Sequence, residues 1–213
     1  MAMLLLVFAT ALLLHVGVAQ VPIPGEPPGF TIGRGSGTAK VQLETYIDLL
    51  CPFSKAAYNG VKALADHYEP EEFRVKAVLF PLPFHQHGFT AAESVFTITS
   101  ALGDDHFTPW LGVLDEGSEC SASDEELKEL AKKTFPALTD KQWEKGMTGY
   151  GGTDADQHTR VTWKYACTRT VTGTPQYTLN GVPFEKQTRP GNLRTGFKII
   201  DPLVKADKPK DDL

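Results

Sequence analysis

No stretch of this 213-residue chain is rich in lysine or arginine, and its formal net charge is −5. Both features argue against nucleic acid as the main partner. No internal repeat occurs. Metal-ligand spacing is also missing. His85 and His87 stand close together, but two ligands are too few for a closed site, and no nearby Cys or Asp completes one. That pair reads as part of a surface loop before a helix, and no metal is expected. Gly33-Arg-Gly-Ser-Gly37 is glycine-rich but precedes a strand, whereas a phosphate cradle follows a strand and opens a helix. Cysteine is scarce: only Cys51, Cys120 and Cys167.

The one long apolar run lies at the start. Met3 to Leu14 is broken only by Thr10, and Gly17-Val18-Ala19 supplies small residues for a cleavage site. Residues 1–19 therefore read as a secretory signal peptide, leaving no stable membrane anchor once cleaved. An uncleaved anchor is the alternative, although the run is short against the roughly 18–20 residues a span needs. At the other end, Lys210-Asp211-Asp212-Leu213 differs by one acidic-for-acidic change from Lys-Asp-Glu-Leu. The chain is thus expected in the secretory pathway, either retrieved to the endoplasmic reticulum lumen or secreted. A merely solvated charged tail, 207–213, is the plainer reading. In an oxidising compartment an odd cysteine count suggests one bridge and one free thiol. Position nominates Cys51 as the free one. Cys120 and Cys167 could then pair, or both stay reduced.

The rest suits one domain. Residues 20–38 form a Pro/Gly-rich lead with one short strand, Phe30-Thr-Ile32. Val41 to Leu49 and Phe73 to Phe80 read as strands joined by a helix from Phe53 to Tyr68, so they should be parallel. Pro81 and Pro83 end the second strand. Helices are expected over Thr90 to Leu102 and near Phe107 to Leu114. Capping boxes at Ser123 to Glu126 and Thr139 to Gln142 open two more. Gly149 to Gly152 is a joint. Asp154 to Thr170 is a returning helix. Gln176 to Leu179 pairs with Val182 to Glu185 across an Asn180-Gly181 type I′ turn, with Pro183 marking an edge strand. Gly196 to Lys205 reads as a closing helix that Pro202 cuts into. Trp110, Trp143 and Trp163 are expected in the core or lining a groove.

Cys51 is the sharpest candidate for chemistry. It sits where a strand ends and a helix begins, with Pro52 at the first helical position. Helix N-termini carry partial positive charge, which favours a thiolate over a thiol. Ser54 lies one turn on, where its hydroxyl or N–H could bond the sulfur, but it cannot attack a disulfide.

Asp48-Leu-Leu-Cys51-Pro52-Phe53-Ser54 resembles the active-site turn of DsbA-like thioredoxin-fold proteins, which usually carry Cys-Pro-x-Cys. Gly173-Thr174-Pro175-Gln-Tyr-Thr-Leu-Asn180-Gly181 resembles the cis-proline strand that faces that cysteine. Phe80-Pro-Leu-Pro-Phe-His85-Gln-His87 resembles the exit from the second central strand. The resemblance implies an α/β, thioredoxin-like fold with an inserted helical subdomain. Its first half would be residues 39–84, its helical insertion 85–152 and its second half 153–206. It also implies a cis Thr174–Pro175 bond, and a substrate surface formed by Pro52, Phe53, Thr174 and Pro175.

Two departures stand against the pattern. The second motif cysteine is Ser54, and the strand position that is often a buried carboxylate is Thr45. Glu44 is one residue off and by alternation faces the other way. The resulting expectation is monothiol thiol–disulfide exchange, isomerase- or glutaredoxin-like, with cysteine-containing client proteins or glutathione. Cys51 would be the nucleophile and Ser54 its stabiliser. No cofactor is expected beyond glutathione as a co-substrate. Two alternatives remain: a glutathione transferase similar to the kappa class, and a non-catalytic client-binding or chaperone module.

Overall fold

The structure, a computed structural model, describes residues 24–117, 123–147, 152–183 and 192–206. The expected signal peptide, Cys120, most of the Gly149 to Gly152 joint and the 207–213 tail lie outside the described residues.

Two buried strands form the centre. β2 (Val41–Ile47) and β3 (Phe73–Leu79) run parallel, with Thr45 opposite Ala77. Their crossover is α1 (Pro52–His67). β1 (Phe30–Ile32) pairs antiparallel with β3 on the outer side. On the other side β4 (Gln176–Leu179) pairs antiparallel with β2, and β5 (Val182–Pro183) forms the edge. The order is β1-β3-β2-β4-β5. Asn180 and Gly181 take positive φ, as a type I′ turn requires. Pro183 occupies the edge, where its missing donor costs no ladder bond.

The central strands are apolar on both faces because both are covered. One face supplies Leu43, Ile47, Val75 and Leu79 to a core shared with Val61 and Leu64 of α1. The other supplies Tyr46, Val78 and Phe80 to a smaller cluster that includes Cys51.

Between β3 and β4 lies the helical insertion. It comprises α2 (Gly88–Leu102), a 3-10 turn (Asp104–His106), α3 (Phe107–Gly117), α4 (Asp124–Thr134) and α5 (Asp140–Met147). α6 (Asp154–Thr168) then returns the chain to the sheet. Both expected capping boxes form: Ser123 with Glu126, and Thr139 with Gln142. Trp110 is fully buried and donates to Ser94 Oγ at 2.9 Å. Phe30 stacks on Phe107 with centroids 4.6 Å apart, joining the lead strand to the insertion.

Element ends shift from the sequence reading. α2 starts at Gly88, and α6 stops at Thr168 because Thr170 turns to φ 60. The closing helix, α7 (Leu193–Lys205), begins earlier than expected because Asn192 caps it through Arg194 N–H. Pro202 does not cut it, since Pro202 and Lys198, whose carbonyl loses its donor, are both exposed.

Glu93 of α2 is buried. Burial, and then the charge of Asp156 on α6, push its carboxyl from 4.5 up to about 7, against the opposing pull of Arg160. A raised carboxyl value means the folded state holds the proton more tightly than the unfolded state. The contribution of Glu93 to stability is therefore fully present below about pH 4.5 and is lost as pH rises through about 7. Glu93→Gln should remove this slope. Melting at pH 8 should show the variant more stable than the parent by about 1–3 kcal/mol, with the gain gone at pH 4.

Candidate active site

Cys51 is the N-cap residue of α1, with extended backbone (φ −78, ψ 119) and Pro52 next to it in the first turn. Its N–H donates to Asp48 O at 3.1 Å, and its carbonyl accepts from Lys55 N–H at 3.1 Å. The residue is only 3% exposed, packed in one cluster with Tyr46, Phe80, Leu82 and Ala166. Its Sγ donates to Thr174 O at 3.5 Å. The Thr174–Pro175 bond is cis. The structure thus joins two segments 123 residues apart in the chain, as the resemblance implied. Pro52 and Phe53 lie on the outer side of the turn, and Phe53 is 66% exposed.

Ser54 departs from its expected role. It is buried, and its Oγ makes no hydrogen bond, to Cys51 Sγ or otherwise. The residue borders a small cavity with Thr45, Ile47, Asp48 and Tyr58. One-turn spacing places a residue near the sulfur but does not fix where its side chain points. Thr174 Oγ1 is likewise buried without a partner.

Asp48 is the main site residue that the sequence reading did not single out. Its side chain is fully buried. Oδ1 accepts from Leu50 N–H at 2.7 Å; Oδ2 accepts from Leu82 N–H at 2.6 Å and meets His85 Nδ1 at 2.8 Å. The bond to residue i+2 is an Asx turn, which the Asp before Leu-Leu-Cys could have signalled. The bonds to Leu82 and His85 depend on the parallel pairing of β2 with β3, which brings their exits side by side. His85 does lie in the loop before α2, as expected, but a buried carboxylate anchors its ring there. His87 pairs instead with Asp124 at 3.0 Å.

Behind the turn lies a second polar group. Glu44 faces away from Thr45, as alternation requires. It accepts from Tyr46 Oη at 2.7 Å, Tyr165 Oη at 2.9 Å and Thr178 Oγ1 at 3.1 Å, and pairs with Lys76 Nζ at 2.9 Å. Burial pushes its carboxyl up, but Lys76 and the tyrosine hydroxyls outweigh that and hold it below the ordinary carboxylate value. Burial and the adjacent Glu44 push both tyrosines above theirs. Cys167 is exposed on α6. Its suggested partner Cys120 lies outside the described residues. Among the described residues no group of three or more Cys, His, Asp or Glu is placed to hold a metal ion. No described helix is long and apolar enough to cross a membrane.

No protein-family model and no curated protein matches the chain. Solved structures do. The catalytic domain of Proteus mirabilis ScsC matches at TM-score 0.62 and 17% identity, over 84% of this chain and 91% of its own. A periplasmic thioredoxin-like protein from Salmonella enterica serovar Typhimurium matches at 0.64 and 16%, over 84% and 92%. The thiol-disulfide exchange protein alpha-DsbA2 from Wolbachia pipientis matches at 0.62 and 18%, over 82% and 87%. At such identity the similarity speaks for the fold: thioredoxin-like with an inserted helical subdomain, as in DsbA-like proteins.

Removing the Asp48 carboxylate strands the N–H groups of Leu50 and Leu82 in the interior. Asp48→Ala should cost about 2–4 kcal/mol in urea unfolding. Asp48→Asn, which keeps an acceptor, should cost less. Equal losses in the two variants would show that the hydrogen bonds do not hold the turn.

Proposed function

We propose that the chain carries out thiol–disulfide exchange as a monothiol, through mixed disulfides between Cys51 and cysteine-containing proteins or glutathione. The supporting observation is the sulfur's placement at a helix start, directly against the Thr174 carbonyl beside a cis proline. Main-chain groups at such a strand end can align an extended substrate as an added strand.

The exchange balances in two steps. The Cys51 thiolate attacks one sulfur of a client disulfide, a new S–S bond forms, and the other client sulfur leaves as a thiolate. An external thiolate then attacks the mixed disulfide and releases Cys51. Ser54 cannot perform that second attack, so glutathione or a client thiol must. Cys51 thus acts as nucleophile. Pro52, Phe53, Thr174 and Pro175 form the substrate face, and Ser54 leaves the site without an internal resolving thiol. No cofactor takes part. The proposed setting is the secretory pathway, the endoplasmic reticulum lumen or outside the cell, from the leader and tail sequences. Exposed Phe53 (66%) and Phe84 (74%) favour one further reading, client binding independent of the sulfur.

Oxidised glutathione mixed with the reduced protein should add one glutathione at Cys51, read by mass spectrometry of the intact chain. Cys51→Ser should abolish the adduct. Retained conjugation of glutathione to an electrophile by that variant would instead favour the transferase reading. Ser54→Cys restores the Cys-Pro-x-Cys spacing and should shorten the adduct's lifetime at least tenfold. An unreactive Cys51 in folded protein would overturn the monothiol reading.

A further inference from the structure

A groove of about 350 Å³ opens between the β3 exit loop and α6. That volume lies within the range of binding clefts. Its floor is apolar: Leu82, Phe89 and Trp163. Leu82 belongs to the cluster that contains Cys51, and Phe80 of that cluster stacks on Trp163 at 5.9 Å with an interplanar angle of 7°. The groove therefore shares a wall with the cluster that holds the cysteine. Although stacked on one side, Trp163 remains 38% exposed, so it offers aromatic surface to an occupant.

The groove's rim is cationic. Arg160 lies over the Phe89 ring at 5.6 Å and is fixed there by Asp156, which takes its Nε and Nη2 at 2.8 and 2.9 Å. Lys164 is exposed and makes no ion pair among the described residues. Among the described residues no carboxylate lines the groove, in a chain whose net charge is −5. The nearby carboxylates of Asp48 and Asp156 are already engaged, by His85 and Arg160 respectively. An occupant that satisfies this lining carries an aromatic ring for Trp163 and a carboxylate for Lys164. Glutathione has carboxylates but no ring.

We propose that this groove docks a client polypeptide segment in which an aromatic residue adjoins an Asp or Glu, close in sequence to the cysteine that Cys51 engages. The cysteine part rests on the mixed-disulfide reading; the docking does not.

The test uses the full chain with Cys51→Ala and a fluorescently labelled peptide that contains a Tyr-Asp pair and has Ser for its cysteine. Binding is read by anisotropy. Replacing the peptide's Asp by Lys should weaken binding at least fivefold, and replacing its Tyr by Gly at least tenfold. Lys164→Glu, an exposed change, should weaken the Tyr-Asp peptide at least fivefold and reverse the preference between Asp and Lys. Trp163→Ala should cost tenfold in a variant whose melting is otherwise cooperative. Equal binding of all three peptides would overturn the proposal. So would indifference to Lys164→Glu, or full displacement by S-methylglutathione. If docking persists while native Cys51 forms no mixed disulfide, the exchange reading fails and the groove stands.

Discussion

One buried carboxylate sets the geometry on which the site depends. Asp48 follows β2 directly, with its side chain fully buried. It accepts from the N–H groups of Leu50 and Leu82 and meets His85 Nδ1. The bonds join two separate pieces of chain: the turn before Cys51 and, at Leu82 and His85, the loop that leads from β3 to α2. Charge-assisted bonds of this kind are worth roughly 1.5–3 kcal/mol each, enough to outweigh the freedom of a short loop. The Asp48 carbonyl then takes the Cys51 N–H, so the same residue sets the helix start. Cys51 is held not by its own side-chain cap, which is absent, but by the residue three before it.

The opposite requirement operates on the Glu44 side. There a carboxylate and an ammonium are buried together between the sheet and α6, and desolvation works against both. Glu44 is kept ionised because three hydroxyls join Lys76 around it. Two of those hydroxyls belong to Tyr46 and Tyr165, which belong to or pack against the cluster that surrounds Cys51. The sulfur's apolar pocket and the buried charge group therefore share walls. A change in one is felt in the packing of the other, whereas Thr45, on the far face, is only part of the α1 side.

Period and punctuation made much of this legible. The β2–α1–β3 unit follows from apolar runs, from Pro52 at a helix start and from Pro81 at a strand end. Both capping boxes and the Asn180-Gly181 turn carry their geometry in two to four residues. The Cys51–Thr174 contact was legible only through resemblance, since nothing local in either segment points to the other. Side-chain direction was legible where strand alternation sets it, as for Glu44 against Thr45, and not in the turn. Ser54 is at the expected position, but its Oγ does not bond the sulfur. His85 reads as a loop residue until parallel pairing sets the β3 exit beside Asp48. Long-range partners of single polar residues are decided by the register between strands, and no short window of sequence records that register.

Burial of the sulfur carries the remaining consequence. At 3% exposure, Cys51 offers a reactant little surface, and its sulfur lies against the Thr174 carbonyl. An extended segment suits such a site better than a folded surface does, because it can pair through main-chain groups. A small thiol meets still less obstruction. On the monothiol reading, capture and release then differ in kind. Capture is confined to clients that can present a cysteine in extended chain, and release to thiols small enough to reach a sulfur already covered by its client. Ser54, a hydroxyl in place of a thiol, forms no S–S bond in either step. The lifetime of the covalent complex is set outside the protein, by whatever small thiol its surroundings hold.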